Sequence, residues 1–246
     1  MVFLHDLFVW LTNPAHWQGS DGIPLRTFEH LWYSLFAAIT AVAIALPIGL
    51  LVGHTNKGSE VAVNMSNLGR AIPSFGIIVL AWTLAGFGYI PVWVALTALG
   101  LPPIVTNSYV GIRSLDPEVR EAAEGMGMTG AQVLFRVEAP IAMPLIMAGI
   151  RTSVVQIVAT TTIAAFITLG GLGRYIFDGL PQRQHEKVVA GAILVALLSL
   201  AVEYGLGRLQ DAVVPRGLRR RAATAALEAK MSTGRPGLRM ERKQGS

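Results

Sequence analysis

The chain contains no cysteine. A disulfide framework, a thiolate nucleophile and a Cys-ligated metal or cluster are therefore excluded. Charge is scarce as well: Asp, Glu, Lys and Arg make up 14% of the 246 residues, against about 25% in soluble domains. Apolar residues reach 52% and mean hydropathy is +0.52, which excludes disorder of the body and argues against an ordinary soluble enzyme. No pair among His5, His16, His30, His54 and His185 has metal-ligand spacing, so no metal site is expected. Neither a Gly-x-Ser-x-Gly elbow nor a Walker A sequence is present. If this chain serves an ATP-driven process, another chain must bind the nucleotide. Gly125, Gly127 and Gly130 satisfy Gly-x-Gly-x-x-Gly, but charged residues rather than a strand precede them, so a dinucleotide site is not expected.

What the chain does have is long charge-free runs. These are Leu31 to Gly53, Ala71 to Ile112, Thr152 to Gly173 and Val188 to Val202. A helix crosses the hydrocarbon core with about 20 apolar residues. The second run is too long for one crossing and breaks at Gly86-Phe87-Gly88-Tyr89-Ile90-Pro91. Five spans are expected, near 31–53, 71–87, 91–112, 143–169 and 187–207. The second is short enough to be shallow or partly buried in protein. The expected organisation is an interfacial segment 1–27, a membrane domain 28–215 and a basic tail 216–246. Met1 to Trp17 is apolar and aromatic without a basic start or a small-residue cleavage site, which favours an interfacial helix over a cleaved signal peptide.

The net charge of +5 belongs to the tail. From Arg216 onward there are nine Lys/Arg against Glu228 and Glu241, whereas residues 1–215 are net acidic. Placing 113–138 and the C-terminus inside puts 16 of the 20 Lys/Arg inside, with Arg151 at a span end. Five spans then leave the N-terminus outside. The tail is expected to lie on anionic lipid or stay unstructured, and nucleic acid is an unsuitable partner for it. Trp32, Tyr33, Tyr89 and Trp93 sit near expected span ends, where interfacial aromatics anchor; a cation cage is the alternative use.

One stretch is polar. Ser114 to Ile150 opens with Asp116-Pro117, a capping side chain followed by a first-turn proline. Glu118, Glu121 and Glu124 then favour the helix's positive end. Gly125, Gly127 and Gly130 break that helix, and a second short helix is expected through Val133, Leu134 and Phe135. Pro140 and Pro144 mark the start of the fourth span. This is either a solvated loop or a docking surface.

The segment resembles the EAA loop of ABC-importer permease subunits. Glu121-Ala122-Ala123 is followed after three residues by Gly127, and after nine more by Val137-Glu138-Ala139-Pro140. The family pattern ends Ile-x-Leu-Pro, so Val137 and Ala139 depart from it conservatively. Gly69-Arg70-Ala71-Ile72-Pro73-Ser74, Gly170 to Leu180 and Leu206-Gly207-Arg208-Leu209 further resemble permeases for glycine betaine, choline, carnitine and related osmoprotectants.

That resemblance implies an all-α, type I importer permease with five membrane helices in a bacterial inner membrane. The chain itself would be no enzyme and bind no cofactor, with ATP and Mg on its partners. Those partners would be two ATPase subunits, a second permease, identical or homologous, and an extracytoplasmic binding protein. Glu121, Ala122, Ala123, Gly127, Val137, Ala139 and Pro140 would then couple to the ATPases. Glu121 could bond a partner donor or cap its own helix. Pro73, Ser74, Thr160, Thr161 and Thr162 are candidates for a path or gate, although small residues also let membrane helices pack closely. Gly170, Gly171 and Gly173 form either a seat for the binding protein or a plain turn between spans. Methionine or another small polar solute is the alternative cargo. An ATP-independent channel or scaffold is the alternative from another class.

Overall fold

The computed structural model describes residues 2–60, 64, 67, 73–86, 88–167 and 169–214. Every regular element among them is helical. In order they are α1 (Val2–Thr12), α2 (Ile23–Thr55), α3 (Ser74–Ala85), α4 (Tyr89–Arg113), α5 (Pro117–Gly125), α6 (Gly130–Val133), α7 (Ala139–Thr161), α8 (Gly173–Gly179) and α9 (His185–Val213). Short 3-10 turns occupy Pro14–Trp17 and Thr162–Ile167. The basic tail and Gly69 to Ile72 lie outside the described residues.

The packing of α2 follows from its sequence. His30, Ser34, Ala37, Ala41, Ala45, Gly49 and Gly53 are buried, three or four residues apart, and so share one face. Nearly all are small, which lets a second membrane helix approach closely. That helix is α4, whose buried Val92, Leu96, Gly100, Ile104, Ser108 and Ile112 also recur every four residues. A Cβ built on Gly49 would lie 2.7 Å from Ser108 Cβ, and one on Gly53 2.7 Å from Ile112 Cβ. The opposite face of α2 exposes Trp32, Leu35, Ile39 and Leu51, as a lipid-facing helix should. Helix α4 lies between α2 and α7 and contributes much of the main core. Inside it, around Pro102 and Pro103, Ser153 donates to the Gly100 carbonyl at 2.7 Å and Asn107 to the Pro103 carbonyl at 2.8 Å. Helix α9 is the most peripheral of the long helices, packing on α1, α7 and α8.

Four helices are long and apolar enough to cross a membrane: Ile23–Thr55, Tyr89–Arg113, Gly130–Ile167 and His185–Val213. The expected second span appears as α3, whose 12 residues reach only about 18 Å. It starts after Pro73, packs Ile78 into the core and sets Phe75 edge-on to Phe166, 5.2 Å between ring centroids. Gly86 and Gly88, with φ of +82° and +139°, make the break before α4. The long helices overrun the expected spans because a charge-free run marks membrane depth, not helix length. Arg26 and Glu29 are already in α2, so the expected boundary at residue 27 falls inside that helix.

The polar stretch differs from expectation in one respect. The short second helix and the fourth span are one continuous rod, Gly130–Ile167. Its Leu134–Glu138 segment is a π turn, in which Ala139 N–H donates to the Leu134 carbonyl five residues back. The widened turn shifts the hydrogen-bond ladder just ahead of Pro140, so the prolines do not end the helix.

Candidate functional site

The loop joining α4 to α7 is built as its sequence dictates. Asp116 Oδ1 accepts from Glu118 N–H at 3.0 Å and starts α5. Helix α5 stops at Gly125, and Gly127 turns the chain with φ +83°. Thr129 and Gln132 close a reciprocal capping box at the start of α6. Glu121 and Ala122 are exposed, while Ala123 is buried. The Glu121 carboxylate makes no hydrogen bond or ion pair with any described residue, so it does not cap its own helix. Gly127 faces open space; a Cβ there would meet nothing within 4 Å. Val137 and Ala139 are half-buried and Pro140 is exposed. Glu121, Ala122 and Gly127 are thus exposed on α5 and its turn, Pro140 is exposed at the start of α7, Val137 and Ala139 are half-buried, and Ala123 is tucked beneath.

Sequence reasoning misses two features of this loop. Val119, Met126 and Phe135 are large apolar side chains left exposed, Met126 by 77% and Phe135 by 65%. Large apolar side chains exposed in this way are able to contact another surface. From sequence alone Phe135 is only part of an apolar helix, and Met126 only a residue between glycines. The second feature is Glu138, which is fully buried. One carboxylate oxygen accepts from His54 Nδ1 at 2.6 Å, and the other is ion-paired with Arg120. Arg120 also reaches the His54 carbonyl at 3.4 Å. Three segments meet there: the end of α2, helix α5 and the π turn. The signal that could have found it is a lone acidic residue inside the otherwise apolar run Val137-Glu138-Ala139-Pro140.

At the far end of the bundle a second polar network forms. Arg26 bridges Asp21 and Glu29, at 2.9 Å from Glu29 Oε2. The same oxygen accepts from Gly171 N–H at 2.8 Å. Arg26 holds the Asp21 carboxyl below the usual carboxylate range by hydrogen bond and charge. Tyr175 donates to the Asp21 carbonyl at 2.5 Å and meets Trp10 edge-on. Burial, aided by the Asp21 and Glu29 carboxylates against the pull of Arg26, pushes its phenol up to about 12. Gly170, Gly171 and Gly173 are therefore engaged within the chain. A Cβ on Gly173 would lie 2.1 Å from the Thr162 carbonyl oxygen, so only glycine fits.

Thr160 and Thr161 are buried and Thr162 is half-buried. Thr161 donates to the Ile157 carbonyl at 2.8 Å, and the Ser34 hydroxyl lies 2.9 Å from its oxygen. His30 is fully buried beside them, with Nε2 2.8 Å from the Val158 carbonyl. These hydroxyls join α2 to α7. Pro73 and Ser74 lie at the start of α3, whose Phe75 meets Phe166 in the turn that follows Thr161. Arg151, expected at a span end, lies within α7 and is ion-paired with Glu203 of α9, which makes a charge tolerable there. Tyr33 and Tyr89 pack on each other at 5.3 Å, and Trp93 on Phe36 at 5.7 Å. Among the described residues no group of acidic and His side chains could hold a metal ion.

Residues 45–216 match the family described as the binding-protein-dependent transport system inner membrane component. The glycine betaine/carnitine/choline transport system permease protein OpuCB of Bacillus subtilis (strain 168) is 38% identical over 193 residues, covering 78% of this chain and 89% of that protein. The osmoprotectant import permease protein OsmW of Salmonella typhimurium is 36% identical over 198 residues, covering 78% and 92%. A chain of the inward-facing MetNI methionine ABC transporter has a similar fold, with a TM-score of 0.69 at 20% identity over 83% of this chain and all of that one.

Proposed function

The chain belongs to the family of binding-protein-dependent transport system inner membrane components, and from that premise we propose that it is the permease of an ATP-driven importer for osmoprotectants such as glycine betaine, choline or carnitine. The observation that carries the mechanism is the α4–α7 loop. It presents Glu121, Ala122 and the Gly127 turn outward beside exposed Met126 and Phe135, and it is anchored below by buried Glu138. An exposed apolar surface anchored at one buried carboxylate suits docking onto an ATPase subunit.

In this reading the chain crosses the bilayer five times, α3 being a short crossing supported by α4. The α4–α7 loop and the C-terminus face the cytoplasm, and α1 lies at the outer interface. Two such permeases, identical or homologous, flank the path, since one subunit's apolar core is filled by its own side chains. Two ATPase subunits bind ATP and Mg, and this chain binds no cofactor. The outer network around Gly170, Gly171 and Glu29 lies where a binding protein would deliver solute. Thr161 serves helix packing, as its hydrogen bonds to Ile157 and Ser34 support, and buried Thr160 and half-buried Thr162 flank it. Cargo follows the sequence relatives, at 31–38% identity, rather than the methionine transporter, whose likeness is one of fold.

The test is purification of the tagged chain from its native membrane in mild detergent, with mass spectrometry of what accompanies it. An ATPase and a binding protein are expected, and the binding protein should bind glycine betaine, choline or carnitine. A stable homo-oligomer without an ATPase, where a control importer stays whole, would favour an ATP-independent channel or scaffold. A binding protein that prefers methionine would overturn the cargo.

A further inference from the structure

We propose that Glu138 is a positioning residue that transmits movement of the docking loop to α2, acting as a strut between the two; this rests on the coupling role proposed above. The chemistry of the site is the first argument. A fully buried carboxylate is costly to desolvate, and an apolar side chain of similar size is commonly as stable or more so. Its use here is therefore geometric. It fixes two separate elements in one arrangement, His54 at the end of α2 and Arg120 on α5.

The second argument is how little else holds α5. Of its side chains only Ala123 is buried, and Arg120 is half-buried; the others face outward. A pull on α5 thus reaches α2 and the rod through Arg120, by its ion pair with Glu138 and its contact with the His54 carbonyl, beside Ala123 and the short connection to α4. The third is position. Glu138 ends the π turn Leu134–Glu138, the irregular point in the rod that continues into α7. π turns are frequent where helices carry function. The carboxylate therefore touches all three moving parts: the docking helix, the rod and α2. Helix α2 in turn ends, at its other terminus, in the Glu29–Gly171 contact. A displacement received at the loop has a continuous helical path to that far network, through Pro47 of α2.

The experiment uses the complete importer, permeases with ATPases and binding protein, in liposomes. It reads glycine betaine uptake and ATP hydrolysis together. Wild type must show ATP-driven uptake; its absence would overturn the functional reading itself, independently of the strut. In Glu138→Gln the complex should assemble and still hydrolyse ATP, while solute moved per ATP falls about fivefold or more. A merely structural role lowers both rates with the amount of complex and leaves that ratio unchanged. An unchanged ratio would overturn the proposal. If Glu138→Gln fails to assemble, the decision passes to Arg120→Lys, which keeps the charge but loses the planar fork. The ratio should again fall, and an unchanged ratio there refutes the strut.

Discussion

The close approach of α2 to α4 at Gly49 makes a quantitative prediction. In Gly49→Ala the new Cβ would sit 2.7 Å from Ser108 Cβ, 2.9 Å from the Val105 carbonyl oxygen and 3.2 Å from Val105 Cα. Carbon atoms pack best at about 3.5–4.0 Å. Two of the three obstacles are backbone, so no rotamer change relieves them and the helices must separate. Overpacking of this kind costs about 1–3 kcal/mol. Alanine's better helix propensity returns up to about 1 kcal/mol. Gly205→Ala in α9 is the matched control, because nothing lies within 4 Å of its Cβ. It receives the propensity gain alone. The difference between the two variants cancels propensity and isolates overpacking, at about 1–3 kcal/mol, or roughly 5- to 150-fold in the folded ratio. Detergent-titration unfolding in mixed micelles measures it. Gly49→Leu should fail to give folded protein. If Gly49→Ala and Gly205→Ala shift stability alike, the close-packed seam is refuted.

Other predictions address the loop and the far network. Gly127→Trp should still insert, since nothing lies within 4 Å of a Cβ there, with local strain at the turn because its φ is +83°, yet lose the ATPase from the purified complex; normal ATP-driven uptake would count against docking there. Thr161→Val removes the hydrogen bonds to Ile157 and Ser34 and should cost about 1 kcal/mol of stability, with the uptake KM unchanged; a large KM change in an assembled complex would instead assign Thr161 to the path. For Tyr175 the phenol ionises near 10 in an unfolded chain and at about 12 in the fold. The fold favours the neutral form, so its contribution is whole below about pH 10 and is lost as pH rises through about 12. Phenolate absorption during alkaline titration should lose one late-titrating phenol in Tyr175→Phe; an unchanged late phase would refute the assignment.

Much of the helical plan is legible in the sequence because charge is so unevenly distributed. Long runs without Lys, Arg, Asp or Glu locate α2, α4, α7 and α9, and Gly86 to Pro91 locates the turn into α4. Helix ends are less legible, since helical hydrogen bonding continues past the last apolar residue, as at Arg26 and Glu29. Hydropathy marks α3 as a span, but Pro73 and Gly86 bound a helix of only 12 residues. Pro140 and Pro144 suggest a boundary, because local rules carry no sign of the π turn that accommodates them. The Glu121 to Gly127 spacing identifies the loop, since its meaning is local. Partners distant in sequence are not legible in this way. His54 and Glu138 are 84 residues apart, and Glu29 and Gly171 are 142 apart. Nothing along the chain announces either pairing.

The unbroken helix Gly130–Ile167 has a mechanical meaning beyond its length. At 38 residues it is about 57 Å long, nearly twice the hydrocarbon thickness of about 30 Å. A helix of that length in a bilayer must project beyond the hydrocarbon core or tilt within it. A tilt of about 5° about its lower end would carry the upper end sideways by about 5 Å, near the radius of a helix with its side chains. At that upper end Gly173 rests directly on the Thr162 carbonyl, with no room for slack between them. A small rotation at the foot would thereby displace the start of α8.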